Sequence, residues 1–575
     1  MGVLRAEGAG IFVTQKRTTL ILFLLLCIAS GLSVYVYAVL RAAGNRHASA
    51  WYLVLLYVCV LPAVLAYWRI DRDDAHFDIP WPPVHVAAIA VFAILSIFLS
   101  RADQHGKLIS DESAYMFQAR IFAAGESRAR AMPGAEAVAN PHDVPPEIYF
   151  EQTIQSPRGW FAKYPPGWPL LLAVGYLVHL PWVVNPLLGV AQLAIAWWIA
   201  GLWGRNTQIL TVLIAATSSF MLASSVGYMA HAVEGALSLL ALGSLLKGID
   251  ERKLSWISLC FVLVVAATQV RPYTAAVLGL LCVGVCLYEY RQDRHFLLRV
   301  GLIAGFAGAA SAALLLFTNW LYTGNAWLSP YAFARGTQHV QEITFSLSLI
   351  VNNVLHTTRW AITETLRFTF PFIILLAAYA CFTERKRQTL LSYLALLLPL
   401  LVFAYMLQTE GSASIDGERY YFEGFCAFAI VAARGVELLS QHWKVRARAV
   451  FSAMTVMLGL QAASLAFTVK DIELLLAPYQ KAYLLAHSAP PIPLVFVSGN
   501  LPEFTSKHVN WNDADWWKAS TVYLNDPGPA RRGGVACRFG RSSYRVVQFL
   551  PESKTFEKDD VLDVCNEGLR PRSGN

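Results

Sequence analysis

Charge is what this sequence has least of. Of its 575 residues only 15% are Asp, Glu, Lys or Arg, against about 25% in an ordinary soluble domain. Hydrophobic residues make up 56%, and the mean hydropathy is +0.46. Single soluble cores stop growing near ~300 residues, so a water-soluble chain of this length cannot hide so much apolar surface. Cysteine is sparse too, with nine residues, no C-x-x-C pair and no Cys/His cluster at metal spacing. That excludes a disulfide-dense scaffold and a zinc module. No repeat or low-complexity tract appears, and the composition excludes a disordered or collagen-like chain. A polytopic membrane protein is what remains.

Crossing about 30 Å of hydrocarbon takes roughly 20 apolar residues, 17 at the least. About 13 stretches qualify: 18–39, 50–68, 84–100, 186–203, 209–226, 228–246, 254–270, 273–288, 300–321, 368–382, 390–407, 420–437 and 450–468. They lack the dyad alternation of a barrel, so the expected fold class is all-α and polytopic. The first stretch is too long for a signal-peptide core and reads as a retained anchor.

The net charge of +8 is explained by where the basic residues fall, not by a nucleic-acid partner. With the N-terminus inside, the cytoplasmic connectors carry Lys16/Arg17, Arg69/Arg72, Arg205, Lys247/Arg252/Lys253, Arg291/Arg294/Arg299, Arg385/Lys386/Arg387 and Lys444/Arg446/Arg448. The short connectors opposite hold few basic residues, as the positive-inside rule requires. This parity holds only if Pro169–Val183, apolar but brief and flanked by prolines, dips into the outer leaflet without crossing.

The same parity puts 101–168, 322–367 and 469–575 outside. The expected organisation is therefore a membrane domain over 1–468 with two outer loops, then a small extracytoplasmic α/β domain over 469–575. That last segment has strand-like runs at Leu494–Val497, Thr521–Leu524 and Tyr544–Phe549, separated by turn residues. Seven cysteines lie in or beside spans; Cys537 and Cys565 lie in the outer segment, where an oxidising compartment would favour a disulfide between them. Trp511, Trp516 and Trp517 there suit either sugar stacking or, with more weight, a small core.

Two motifs in the first outer loop carry chemistry. Ser110-Asp111-Glu112-Ser113 opens a run with helical apolar spacing up to Gly125. Ser110 or Asp111 caps such a helix, and its carboxylates suit the positive end of the dipole. It is expected to be amphipathic and to lie along the surface. Adjacent residues on a helix diverge by ~100°, so only one of Asp111 and Glu112 can face a given reacting atom. The loop returns through Lys163-Tyr164-Pro165-Pro166-Gly167, either an interfacial anchor or a lip where a Lys beside a Tyr holds an anion.

These motifs, with Gln269-Val270-Arg271-Pro272 at an outer boundary and Gly417-Glu418-Arg419-Tyr420-Tyr421 entering a late span, resemble the GT-C superfamily. Its members are polyprenyl-phosphate-sugar-dependent glycosyltransferases, including protein O-mannosyltransferases and lipid A aminoarabinose transferases. The resemblance spans roughly 80–440 and is one of pattern; two spans precede the acidic loop here, where many members have one. It implies that Asp111 is the base, with Glu112 alternate or supporting. It implies transfer of a monosaccharide from a polyprenyl-phosphate donor to a hydroxyl of a glycolipid, polysaccharide or protein. A carboxylate removes the acceptor proton, the departing phosphate needs cations, and one displacement inverts the anomeric centre.

Lys163, Arg271, Arg335 and Arg419 are the candidates for donor-phosphate contact, Arg offering a fork and Lys a point charge. Each has a plainer alternative: Arg271 snorkelling beside Pro272, or Arg419 paired with Glu423 one turn on. Tyr164 and Tyr420, next to two of them, are expected in the substrate pocket together with His231 and Glu234. His231 and Glu234, three residues apart, share a face near the outer end of a span, where ionisable groups point to a polar cavity or a helix–helix hydrogen bond. The pair suits a divalent cation, but no third ligand is identifiable and no metal is assigned. The expected partners are donor, acceptor and membrane lipid; the expected location is a bacterial inner membrane, multi-pass, with the C-terminal segment periplasmic. A transporter or flippase of lipid-linked glycans is the alternative, disfavoured because no interrupted, repeated halves appear. A non-catalytic assembly protein comes third.

Overall fold

In the computed structural model of the protein, the residues described are 84–102, 110–136, 138, 141–335, 351, 354, 373–385, 387–407, 419–442, 480–488, 492–498, 510–550, 555–558 and 562–563. The spans expected at 18–39, 50–68 and 450–468, and Cys565, lie outside them. The described chain is mostly helical. Among the described residues six helices are long and apolar enough to cross a membrane: Val84–Arg101, Pro181–Ala200, His231–Glu251, Pro272–Glu289, Arg294–Thr323 and Gln388–Met406. By these helices it is an integral membrane protein.

Several elements differ from their sequence outline for physical reasons. The run 209–226 is not one straight span: Arg205–Ala216 and Ser219–Ser225 meet at 66°. At the break Thr217 Oγ1 donates to the Leu213 carbonyl, and Ser218 Oγ accepts from the Met221 N–H. Side-chain hydroxyls there compete with the helical ladder. Residues 254–270 shorten to Leu254–Thr268, 15 residues. Pro169–Val183 becomes the helix Gly167–Leu177 and a 3-10 turn Pro181–Val183; eleven residues reach only about 16 Å.

The described residues form two compact units. One is built from 84–94, Gly189–Ser224 and the described residues between 351 and 442. Its centre is Phe422–His442, packed on Ile373–Thr383, Arg205–Ala216 and Gln388–Met406. Gly435 allows close approach there, since a Cβ would lie 2.1 Å from the Leu376 carbonyl oxygen. Arg434 binds Glu384 at 2.6 Å and Glu437 at 2.9 Å, and Thr207 Oγ1 donates to Glu437 at 2.5 Å.

The other unit takes Leu95–Leu188, 225–335 and the described residues after 479. Helices His231–Glu251, Leu254–Thr268, Pro272–Glu289 and Arg294–Thr323 pack through Leu254–Thr268. A hairpin follows the acidic helix: β1 (Thr153–Ser156) antiparallel to β2 (Gly159–Ala162). Further on, a mixed sheet has the order β4-β3-β5-β6, with β7 also on β5. Here β3 is Leu494–Ser498, β4 Val522–Asn525, β5 Ser543–Leu550, β6 Thr555–Lys558 and β7 Leu562–Asp563. The strand-like runs read from sequence fall on β3, β4 and β5. β3 is parallel to both neighbours, and Pro529–Arg538 makes the helical connection from β4 to β5. Cys537 sits exposed on that helix, with no disulfide to another described cysteine.

The sheet shares a core with the acidic loop. Leu494, Phe496, Val522, Leu524 and Val546 join Phe117, Ile121, Met132, Phe150 and Trp160 in one buried cluster. Trp516 is buried in it and donates Nε1–H to the Arg130 carbonyl at 2.8 Å; Trp517 packs against it. Glu147, fully buried, receives Arg538 at 3.0 Å and Arg531 at 3.2 Å.

Candidate active site

Asp111 and Glu112 stand in the first turn of the helix Ser110–Ala123. The surface amphipathic helix expected there is instead enclosed. Phe117 and Ile121 belong to the sheet-side core, while Ala114, Tyr115 and Ala119 pack with Tyr164, Trp168, Tyr228 and Val270 in a second cluster. The two carboxylates separate as adjacent helical residues must. Glu112 is only 4% exposed, and its Oε1 accepts from the Tyr228 backbone N–H at 2.8 Å. Asp111 is half-buried and accepts from the Tyr164 hydroxyl. Burial pushes the Tyr164 phenol well above its usual range, and the Asp111 charge adds to the effect.

Tyr164 links this carboxylate to a cation. Lys163 Nζ lies 5.3 Å from the Tyr164 ring centroid and 5.2 Å from that of Tyr331, the geometry of cation–π contact. Tyr331 meets Tyr164 edge-on at 5.4 Å, and Tyr115 lies against its other side at 4.5 Å. Arg335 closes the short helix Pro330–Ala334 that carries Tyr331.

Glutamines absent from the sequence reading hold this arrangement. Gln118, fully buried, accepts from the Ala162 N–H at 2.9 Å and donates to the Ser127 carbonyl at 3.0 Å. Gln152 donates to Ser110 Oγ at 3.2 Å while its carbonyl accepts from the Lys163 N–H at 3.1 Å. Its φ of +66° is a left-handed conformation that disfavours a side chain, held by these two bonds. Both residues tie the Lys163 strand end to the Asp111 helix.

The second motif docks on the first. Gly167 N–H donates to the Gln269 carbonyl at 2.7 Å, which places Val270-Arg271 beside the Lys163 turn. Arg271 precedes Pro272 at the N-terminal end of Pro272–Glu289, and its guanidinium contacts His231 Nδ1. Arginine carries no acceptor, so His231 presents a lone pair there. Glu234 lies one turn along the same helix, fully buried. Tyr228 ties this side in: its carbonyl accepts from Trp168 Nε1 at 2.8 Å, next to the N–H that serves Glu112. Thus Asp111, Glu112, Lys163, Tyr164, His231, Glu234 and Arg271 belong to one compact unit.

Arg419 and Tyr420 belong to the other unit. They form a 3-10 turn before Phe422–His442, with Arg419 over the Tyr420 ring at 5.6 Å and Tyr420 stacked on Tyr405 at 4.7 Å. Among the described residues no group of three His, Cys, Asp or Glu is gathered that could hold a metal ion.

Membrane-length helices, an acidic pair on a short enclosed helix and an α/β sheet sharing that helix's core make up a fold similar to that of a solved membrane protein. The crystal structure of ArnT from Cupriavidus metallidurans in the apo state matches 81% of this chain and 93% of its own, at 13% identity and a TM-score of 0.50. The same protein bound to undecaprenyl phosphate matches with 13% identity, the same coverage and a TM-score of 0.47. An Archaeoglobus fulgidus oligosaccharyltransferase in the apo form matches with 11% identity and a TM-score of 0.47, over 81% of this chain and 69% of its own. At such identities the likeness is one of fold. No protein-family model and no curated protein matches the sequence.

Proposed function

We propose that the protein is an inverting glycosyltransferase that moves a monosaccharide from a polyprenyl-phosphate donor to a hydroxyl acceptor on the outer face of the membrane. The observation that carries this reading is the Asp111–Tyr164–Lys163 chain, which sets a carboxylate at the hydroxyl and an ammonium over the ring of one phenol. Asp111 is the half-buried acid of the pair and serves as base, because Glu112 is committed to the Tyr228 N–H. Lys163 and Arg271 receive the departing phosphate, with Arg335 as a further cation. Tyr164 and His231 orient them. The acceptor hydroxyl attacks the anomeric carbon as its proton passes to Asp111; the carbon–oxygen bond to phosphate breaks and the polyprenyl phosphate leaves as an anion. No metal is required for this balance.

The fold likeness supports the class; donor, acceptor, bacterial inner-membrane location and periplasmic placement of the C-terminal segment are part of the proposal. The test is transfer from labelled polyprenyl-phosphate sugars by the purified wild type and by Asp111→Asn. Loss of transfer in the variant with its melting temperature retained is the expected result; equal transfer by both removes the base and with it this mechanism. The bent pair at 66° is the one observation favouring a lipid-linked glycan flippase, which the purified protein in lipid vesicles tests through donor movement without transfer.

A further inference from the structure

A cavity of about 670 Å³ lies on the other side of the acidic helix from Asp111. Ser113, Met116 and Arg120 line it, and at ~100° per residue these sit on the face opposite Asp111. Its far wall is supplied by β4 and the segments flanking the sheet: Tyr483, His487, Trp511 and Tyr523. Those four rings pack on one another, His487 stacking on Tyr483 at 3.8 Å and on Tyr523 at 4.9 Å, with Trp511 edge-on to Tyr523 at 5.7 Å. The volume falls within the roughly 300–1,000 Å³ of small-ligand sites.

The lining is more polar than its enclosure explains. Asn510 is only 5% exposed, yet its Nδ2 has no hydrogen-bond partner among the described residues; neither has the buried Oη of Tyr176 nor the buried Nε of Arg120. All three residues line the cavity. Buried donors of this kind are costly unless something accepts from them. Arg120 and Asp513 face each other at 3.7 Å, too far for a good hydrogen bond, so each retains bonding capacity. One cation against one carboxylate leaves no net charge to select a phosphate. An apolar ligand would leave the orphaned donors unpaired. A neutral, polyhydroxylated molecule with apolar ring faces satisfies both the donors and the aromatic wall.

We propose that this cavity binds a glycan, its sugar rings against the aromatic wall and its hydroxyls on Arg120, Asp513, Asn510 and Tyr176. The binding stands by itself; that the glycan is the acceptor rests on the transfer reading. Because the cavity and Asp111 occupy opposite faces of one helix, the bound part is a more remote portion of the acceptor, not the hydroxyl that reacts.

The test titrates the full-length protein in detergent with chitotetraose, mannotetraose and cellotetraose at millimolar concentrations, read by tryptophan fluorescence and calorimetry. At least one binds the wild type, and Asp513→Asn and Arg120→Gln each weaken it about tenfold, the equivalent of one charge-assisted hydrogen bond. Asp513 is 68% exposed, so its variant keeps the wild-type melting temperature. No binding of any probe, or binding unchanged in both variants, overturns the proposal. Asp111→Asn separates the two readings. Equal glycan binding by wild type and that variant with no transfer by either retains the cavity and removes the enzyme. Transfer by wild type without any glycan binding does the reverse.

Discussion

The backbone N–H of Gly167 reaches the carbonyl of Gln269 at 2.7 Å, so two motifs separated by about a hundred residues of sequence meet main chain to main chain. Any Cβ at 167 would lie 2.5 Å from that carbonyl oxygen. Rigid backbone on both sides leaves no room to yield.

Gly167→Ala therefore parts the Lys163 turn from Arg271. Overpacking of this kind costs about 1–3 kcal/mol. The expected outcome is a lower melting temperature together with a fall in transfer larger than the loss of folded protein, measured on matched folded fractions.

The two acids of the first turn should behave differently. Asp111→Asn removes the base, a loss of about 10²–10⁴-fold in turnover at little cost in stability. Glu112→Gln removes a charged acceptor from a buried N–H, a cost of roughly 1.5–3 kcal/mol, and shows itself first in denaturation. A variant pair with these effects exchanged would transfer the catalytic role to Glu112.

Gln118→Leu leaves the Ala162 N–H without its acceptor, a loss of about 1–3 kcal/mol. Since Ala162 precedes Lys163, the expected kinetic signature is a raised KM for the donor with a smaller change in kcat. A change in kcat alone would show that Gln118 does not position the lysine.

Arg434 is bonded to two carboxylates, Glu384 and Glu437. Arg434→Met strands both, and removing one partner of a buried ion pair costs about 3–5 kcal/mol. Thermal unfolding in detergent should fall sharply, while Glu384→Gln in the same background restores part of the loss.

His487 gives a pH test. Burial holds its pKa below 6.5, an effect the Tyr483 carbonyl and Asp513 partly offset; Tyr483 and Tyr523 stack on it, and Asp513 lines the same cavity. A depressed histidine binds fewer protons folded than unfolded, so its destabilisation is absent above about pH 6.5 and grows as pH falls below that. Melting temperature should drop on acidification from pH 7.5 to 5.5, and less steeply in His487→Gln.

Much of this site could be read before any coordinates. Asp111-Glu112, Lys163-Tyr164 and Val270-Arg271 carry charge at the ends of apolar runs, a signal that survives in one dimension. The runs that became β3, β4 and β5 were visible through their turn residues. Gln118 and Gln152 were not: each acts through backbone groups on another segment, and a glutamine inside a helix or loop leaves no periodic mark. Nor could apolar spacing in Ser110–Ala123 tell a helix with one wet face from a helix enclosed by two clusters, since the second face is covered by residues over 370 positions away. Tyr331 entered only through a ring contact.

That distant covering imposes an order in time. Trp516 and Arg130, whose hydrogen bond closes the core around the acidic helix, stand 386 residues apart. At ribosomal speeds of about 5–20 residues per second, the nascent loop waits on the order of tens of seconds for its cover. Until then the apolar face of Phe117 and Trp160 is bare, so folding of the last segment is the step that completes this core. In a newly made chain this core stays open through most of synthesis.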